Sequence, residues 1–145
     1  FVVRWPGHSP KGKTDETTVI GAVDLFPSLC AVAGADVSKE AVLDGENLSG
    51  ALCGKPLQRA KPLYWEYGRN GRAFRFPEGR DRSPAVAVRD GKWKLLINPD
   101  GTAAELYDLL ADSTEAVNLA EKEKDVAERL SRMALNWRES LPRIQ

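Results

Sequence analysis

The sequence is poor in the residues that carry most enzyme chemistry. Its 145 residues include one histidine and two cysteines. Cys30 and Cys53 have no C-x-x-C partner and no histidine nearby, which argues against a zinc site. The stretch 85–119, which is rich in structural signals, contains no nucleophile beside a histidine. We interpret both cysteines as free, buried or half-buried thiols, and an oxidising compartment would allow one disulfide between them.

The sequence also lacks a charge surplus and a long apolar run. Lys plus Arg and Asp plus Glu number 21 each, so the formal net charge is zero. This argues against a dedicated nucleic-acid binder, which needs a basic surplus, although a local basic patch stays open. No run approaches the ~20 apolar residues of a membrane span. The composition, 42% hydrophobic and 29% charged, is typical of a globular protein rather than a disordered or fibrous one, and the length fits one domain of ordinary size.

The chain opens inside an apolar run, FVVRW (1–5), which ends at Pro6-Gly7. β-Branched and aromatic residues favour a strand. The first residue is Phe1, and we interpret the opening as the cut end of a longer protein. A strand without its sheet leaves unpaired backbone groups, so we expect self-association through residues 1–5.

Two short helices follow in the sequence. Asp24 precedes LFPSLCAVA and is placed to accept from the amides of the first helical turn, while Gly34 is placed to end the helix in a left-handed conformation. The first helix should bury a face of apolar residues: Leu25, Leu29, Val32 and Ala33, with Phe26 adjacent. A second, shorter amphipathic helix carries Leu48, Ala51 and Leu52 after an Asp44-Gly45 turn.

The remainder predicts an antiparallel meander closed by a helix. PLYWEYG (62–68) is an aromatic strand, AVAVR and KWKLLIN pair around Asp90-Gly91 in a primed turn, and ELYDL is a further strand. Asp112 and Glu115 have the spacing of a capping box. A final helix over about 121–140 places Val126, Leu130, Met133 and Trp137 on one face, widened by Ala127 and Ala134. The fold class is α+β.

One segment, 69–84, is basic and interrupted by glycine and proline. It contains five arginines: Arg69, Arg72, Arg75, Arg80 and Arg82. Guanidinium groups bind sulfates or carboxylates through paired hydrogen bonds, so Arg69, Arg72 and Arg75 are candidate substrate-binding residues, with solvated surface charges as the alternative. For Trp65 and Tyr67, which share one face of the aromatic strand, packing in the core is favoured over stacking on a sugar.

Five segments in order resemble the C-terminal part of the type I, formylglycine-dependent sulfatases, in the arylsulfatase and N-acetylgalactosamine-6-sulfatase group. They are FVVRWPGHSPKGK, VDLFPSLCAVAGA, LDGENLSGALCGK, AVRDGKWKLL and ELYDLLADSTEAVNLA. The resemblance implies an alkaline-phosphatase-like fold: residues 1–60 would end the large α/β domain with its last strand and helices. Residues 61–145 would form the small antiparallel-sheet subdomain with its terminal helix.

The resemblance also implies where the chemistry lies. The family uses a formylglycine made from Cys or Ser in a C/S-x-P-x-R motif, and a divalent cation, usually calcium, held by Asp and Asn residues. Neither Cys30 nor Cys53 fits that motif. We expect no cofactor in this chain and no catalytic or metal-binding residue, with calcium and formylglycine in a missing N-terminal sulfatase domain. The substrate of the whole enzyme would be a sulfated small molecule or glycan, and the family is often exported or lysosomal.

His8 follows the first predicted strand directly. It is a candidate for the mouth of the sulfate pocket, and a loop histidine that supports a turn is the favoured alternative. Two rival interpretations of the whole chain stay open: a stand-alone binding module for an acidic glycan, and an inactive sulfatase relative.

Overall fold

The computed structural model describes residues 1–67 and 82–142. The chain divides into two compact units, Phe1–Lys61 (unit 1) and Pro62–Gln145 (unit 2). The described part of unit 1 contains a 3₁₀ turn, Ala22–Asp24, and two helices, α1 (Leu25–Ala33) and α2 (Ser49–Leu52). The assignment of these units to parts of a larger enzyme remains a prediction.

The described part of unit 2 is a four-stranded antiparallel sheet with one helix. The strands are β1 (Leu63–Glu66), β2 (Val86–Asp90), β3 (Trp93–Ile97) and β4 (Glu105–Asp108), in the sheet order β1-β2-β3-β4. The helix α3 (Lys124–Ser140) packs on one face. The α+β class and the small sheet closed by a C-terminal helix are confirmed.

The core of unit 2 is formed by apolar residues that alternate along the strands and recur with the helical period along α3. Tyr64, Val88, Leu95 and Leu106 occupy successive strands in register and point to the α3 side. The predicted α3 stripe packs against them, with the Tyr64 and Trp137 rings stacked at 5.0 Å. The eight buried residues of this core are Val86, Val88, Leu95, Ile97, Leu106, Ala127, Leu130 and Ala134.

The β2–β3 hairpin turns one residue later than predicted. Asp90 still pairs with Trp93, and the two loop residues are Gly91 and Lys92. Gly91 has a φ of 59°, as the first position of a type II′ turn requires. The turn is therefore of a primed type, shifted by one position.

The predicted capping box at Asp112 and Glu115 is wrong. The Asp112 carboxylate accepts from the amides of Ala116 and Val117, but no helix begins there, and α3 starts at Lys124. Glu115 adopts a φ of 56° and binds Lys94 across the sheet at 2.7 Å instead of reaching back. A cation on a neighbouring strand outcompetes the local cap.

The predicted strand at residues 1–5 is also wrong for this chain. These residues belong to no strand, and Phe1, Val2 and Val3 are exposed. A strand exists only where a neighbour completes its hydrogen-bond ladder, and the described residues offer none to this segment.

Helix α1 has the predicted bounds but buries the opposite side. Gly34 ends it with a φ of 66°, as expected. Pro27 and Ser28 are buried, whereas Leu29 of the predicted apolar face is 54% exposed and Phe26 beside that face is 60% exposed. The Ser28 hydroxyl accepts from the Leu48 amide at 2.9 Å. Leu25 and Val32 of the predicted face are half-buried, so the apolar stripe is only partly covered.

Candidate functional site

His8 lies in a tight turn that its neighbours fix. The amides of His8 and Ser9 both donate to the Trp5 carbonyl, at 3.0 and 2.9 Å. The Ser9 hydroxyl donates to the same carbonyl and accepts from the Trp5 amide. Gly7 supplies the left-handed conformation, with a φ of 82°. The turn therefore holds residues 5–9 without help from a strand.

The His8 ring stacks on the Trp5 ring, with centroids 4.1 Å apart and planes 10° apart. One ring nitrogen, Nδ1, lies 3.4 Å from the Pro6 carbonyl oxygen. The nearby Ser9 hydroxyl is engaged with backbone groups of Trp5, so it is not paired with the imidazole as a nucleophile would be. The exposed imidazole can meet a ligand, and its substrate-binding role stays a prediction.

The other candidate residues, Arg69, Arg72 and Arg75, lie outside the described residues. The strand before them, β1, is described, and the exposure of the aromatic residues in and after it differs from the prediction. Trp65 is 45% exposed and Tyr67 is 61% exposed, so neither packs in the core. Leu63 shares their face and is buried. The two aromatic rings lie on the sheet face opposite α3.

That opposite face carries two cross-strand rows in which polar and apolar residues are mixed. Leu63, Arg89, Lys94 and Tyr107 are cross-strand neighbours, one from each strand. A parallel row consists of Trp65, Ala87, Leu96 and Glu105. The alternation V-A-V-R in β2 was the signal that Arg89 faces away from the core.

Among the described residues, some polar side chains of this face have close partners and others do not. Lys94 binds Glu115, and the Tyr107 hydroxyl donates to Glu105 at 3.0 Å. Partial burial and then the Glu105 carboxylate raise the pKa of Tyr107 to about 12. Partial burial lowers the pKa of Arg89, and the nearby Glu115 carboxylate opposes this. The Arg89 Nε donates only a long bond, 3.4 Å, to the Gly91 carbonyl.

Unit 1 is organised around a buried ionic network instead of a binding cluster. Asp24, which is fully buried, accepts from the Gly21 amide at 2.7 Å and the Glu46 amide at 2.9 Å, and it binds the Arg59 guanidinium. Burial acts to raise the pKa of Asp24, but the Arg59 hydrogen bond and the two amides outweigh it and hold that pKa below its usual range. The predicted cap of α1 by Asp24 is wrong because these partners occupy its oxygens.

The network closes around Gly45 and Lys61. A Cβ atom on Gly45 would lie 2.0 Å from the Val23 carbonyl oxygen, so only glycine fits there. Lys61 donates to the carbonyls of Leu43 and Gly45 at 2.8 and 3.2 Å. The central pairings of this network were not predictable from local sequence, because Glu46 and Arg59 lie 22 and 35 residues from Asp24.

Metal binding and thiol chemistry find little support in the described part of the chain. Within residues 1–67 and 82–142, no three His, Cys, Asp or Glu side chains are arranged to hold a metal ion. Cys30 and Cys53 are both free and half-buried. No described helix is long and apolar enough to cross a membrane.

Comparison with known proteins identifies what this arrangement resembles. A family described as N-sulphoglucosamine sulphohydrolase, C-terminal, matches residues 1–139. An N-acetylgalactosamine-6-O-sulfatase of Bacteroides thetaiotaomicron is 25% identical over 133 residues, which are 92% of this chain and 26% of that protein. A choline-sulfatase of Rhizobium meliloti is 31% identical over 127 residues, 83% of this chain and 21% of that protein.

A solved structure gives the same answer at the level of the fold. The crystal structure of Ps i-CgsB, also solved in complex with a neocarrahexaose, superimposes with a TM-score of 0.68 at 26% identity. The match covers 92% of this chain and 27% of that one. The chain therefore spans about a quarter of the length of the relatives it matches.

Proposed function

Because the chain belongs to the N-sulphoglucosamine sulphohydrolase C-terminal family, we propose that it serves an enzyme which hydrolyses sulfate esters. The match over residues 1–139 is the observation that carries this proposal, and the named relatives are sulfatases. The substrate we propose is a sulfated saccharide or an aryl sulfate. A galactosamine sulfatase and a structure holding a carrageenan-type oligosaccharide support the saccharide.

The residues of this chain do not fit the groups that perform the reaction. Cys30 is followed by Ala-Val-Ala and Cys53 by Gly-Lys-Pro, so neither stands in a C/S-x-P-x-R motif. The described residues contain no cluster for calcium. We place the formylglycine and the calcium in another part of the enzyme, and we derive no step through them here. On this proposal the chain alone is inactive.

The partner we propose is the catalytic N-terminal part of the same sulfatase. Large apolar side chains exposed on unit 1 support this: Phe1, Val2, Val3, Val23, Phe26, Leu29, Val42 and Leu57. Covering such side chains gains about 25 cal/mol per Å² of apolar surface removed from water. Exposed apolar side chains of this kind mark an interaction site where they form a contiguous patch.

The exposed start of the chain also supports self-association when the chain is alone. Val2 is 93% exposed and Phe1 is 79% exposed. We expect the chain to elute as a dimer or larger species at high concentration in a sizing experiment, and replacing Phe1 and Val2 by serine should reduce that species. A single monomer peak for the unsubstituted chain at every concentration contradicts self-association through residues 1–5.

The test of the proposed function uses the longest reading frame that contains this chain. Sulfate release is measured from 4-nitrophenyl sulfate and from a sulfated oligosaccharide. We expect hydrolysis of at least the aryl ester, and the double variant Arg72→Glu/Arg75→Glu should raise KM for the saccharide more than for the aryl sulfate. Equal effects on both substrates would remove the arginine segment from the binding site, and the absence of sulfate release contradicts an active sulfatase.

The second candidate is a stand-alone module that binds an acidic glycan. The exposed Trp65 and Tyr67 next to the basic segment favour it. A reading frame without a C/S-x-P-x-R motif, together with glycan binding by the chain and no sulfate release, would support this candidate over the first.

A further inference from the structure

Arg89 is a half-buried cation that forms no ion pair among the described residues, and the Glu115 carboxylate that acts on it from nearby is bound to Lys94. The only hydrogen bond of Arg89 among these residues is the 3.4 Å contact of Nε with the Gly91 carbonyl. The other half-buried cations of unit 2 are paired, Lys94 with Glu115 and Arg138 with Glu66. Taking a charge out of water without a partner costs free energy. The terminal nitrogens of Arg89 have no acceptor among the described residues and are therefore suited to bind an anion.

The surroundings of Arg89 indicate what kind of anion fits. Lys94 lies directly across from it on β3, so the row holds two cations against the single carboxylate of Glu115. Trp65 pairs with Ala87, which places Trp65 diagonally from Arg89 on the same face, at about 7–8 Å between Cα atoms. Ala87, which pairs with Trp65, carries only a methyl side chain. An aromatic ring beside a guanidinium suits a ring-shaped ligand with an acidic substituent.

The far end of the same face has the opposite charge. A surface cavity of about 520 Å³ there is lined by Arg82, Asn98, Asp100 and Glu105 among others. Its two carboxylates disfavour a sulfate group. An anionic substituent is therefore directed to the Arg89 end and not to the cavity.

We propose that Arg89 and Trp65 form a subsite for an anionic saccharide. Arg89 donates paired hydrogen bonds to a sulfate or carboxylate substituent, and Trp65 packs against the sugar ring. This inference rests on the proposed function and specifies its substrate as a saccharide that extends beyond the sulfate ester being hydrolysed. Binding by the chain, rather than hydrolysis, is the direct readout.

The test is calorimetric titration of the chain with a chondroitin 6-sulfate hexasaccharide, its desulfated form and inorganic sulfate. We expect Arg89→Gln to weaken binding of the sulfated hexasaccharide by at least about tenfold, and Trp65→Ala by about fivefold. The matched control is Arg129→Gln, which removes one positive charge from α3, where Arg129 pairs with Asp90. The control should change the affinity less than about twofold.

The desulfated saccharide identifies the substituent. If it still binds and is still sensitive to Arg89→Gln, Arg89 holds the carboxylate; if its binding is lost, Arg89 holds the sulfate, and both results support the subsite. Equal effects of Arg89→Gln and Arg129→Gln overturn it. Inorganic sulfate that binds as tightly as the hexasaccharide, with no effect of Trp65→Ala, overturns the saccharide assignment.

A second variant and a separate activity assay distinguish loss of binding from loss of folding and from loss of sulfatase activity. If Arg89→Gln does not fold by circular dichroism, Arg89→Lys keeps the charge but loses the paired donors, and an unchanged affinity in that variant contradicts the proposal. Failure of the wild-type chain to bind any of the three probes also contradicts it. Sulfate release from 4-nitrophenyl sulfate by the longer reading frame is independent of this subsite, so it reports the proposed function separately.

Discussion

The interiors of the two units of this chain differ in composition. Unit 2 contains ten of the twelve buried apolar residues among the described ones, whereas unit 1 contributes Leu48 and Leu52. Of the twelve exposed large apolar side chains in the described part, eight belong to unit 1. At the centre of unit 1 lie Asp24 and Ser28, both fully buried.

This difference predicts that unit 2 is more stable by itself than unit 1. In unit 2, one helix covers one face of the sheet, and that burial drives folding. In unit 1, hydrogen bonds and the pair between Asp24 and Arg59 hold the segments together, while apolar side chains point to water. Hydrogen bonds contribute only about 1 kcal/mol each net, so we expect unit 1 to be less stable by itself than unit 2.

The largest expected effect comes from the core of unit 2. Leu130 is fully buried against the sheet, so Leu130→Ala should lower the free energy of unfolding by about 2–5 kcal/mol through lost burial and the cavity it leaves. Urea unfolding measures this. The control Leu110→Ala removes a side chain that is 80% exposed and should cost less than about 0.5 kcal/mol. Equal losses in the two variants would contradict the assigned core.

The second largest loss of stability is expected from a substitution in the ionic network of unit 1. Asp24→Asn removes the charge that Arg59 binds and leaves a buried polar group without its partner, at a cost of about 1–3 kcal/mol. The control Asp36→Asn changes an exposed carboxylate of the same unit. Fluorescence-detected unfolding that finds both variants as stable as the wild type would show that the network does not hold unit 1.

Acid should weaken the same network. The pKa of Asp24 is lower in the folded chain than its ordinary value of 3.8, because Arg59 and two amides outweigh its burial. The carboxylate therefore stabilises the folded state fully above that ordinary value, and this contribution is lost as the pH falls through the lowered pKa. The stability difference between wild type and Asp24→Asn should shrink from pH 7 to pH 3. If the stability difference between wild type and Asp24→Asn instead grew toward acid, the pKa of Asp24 would be raised in the folded chain, which would contradict this account.

These results bear on how far the sequence alone could predict the molecule. The strands and α3 were predictable because alternation and the helical period are local signals, and Val126, Leu130, Met133 and Trp137 do pack on the sheet. The role of Asp24 was not, because Glu46 and Arg59 lie far along the chain. Residues 1–5 failed as a strand because pairing depends on a neighbour. The sequence predicted that His8 lies in a turn, but it did not predict that Trp65 is exposed.

The smallest expected effect concerns the exposed side of α1. Phe26→Gln and Leu29→Gln together should change the free energy of unfolding by less than about 0.5 kcal/mol, because both side chains are more than half exposed. Binding of a hydrophobic dye should fall at the same time. A loss as large as that of Leu130→Ala would mean that these side chains are part of a core.

Hydrogen exchange of the backbone amides, followed by mass spectrometry, tests the contrast between the two units most directly. Amides in β2, β3 and α3 should exchange slowest, because they open only with the whole of unit 2. Amides of α1 should exchange much faster in this chain and slow down in the longest reading frame that contains it. Equal protection of α1 and β3 in the isolated chain would contradict the account.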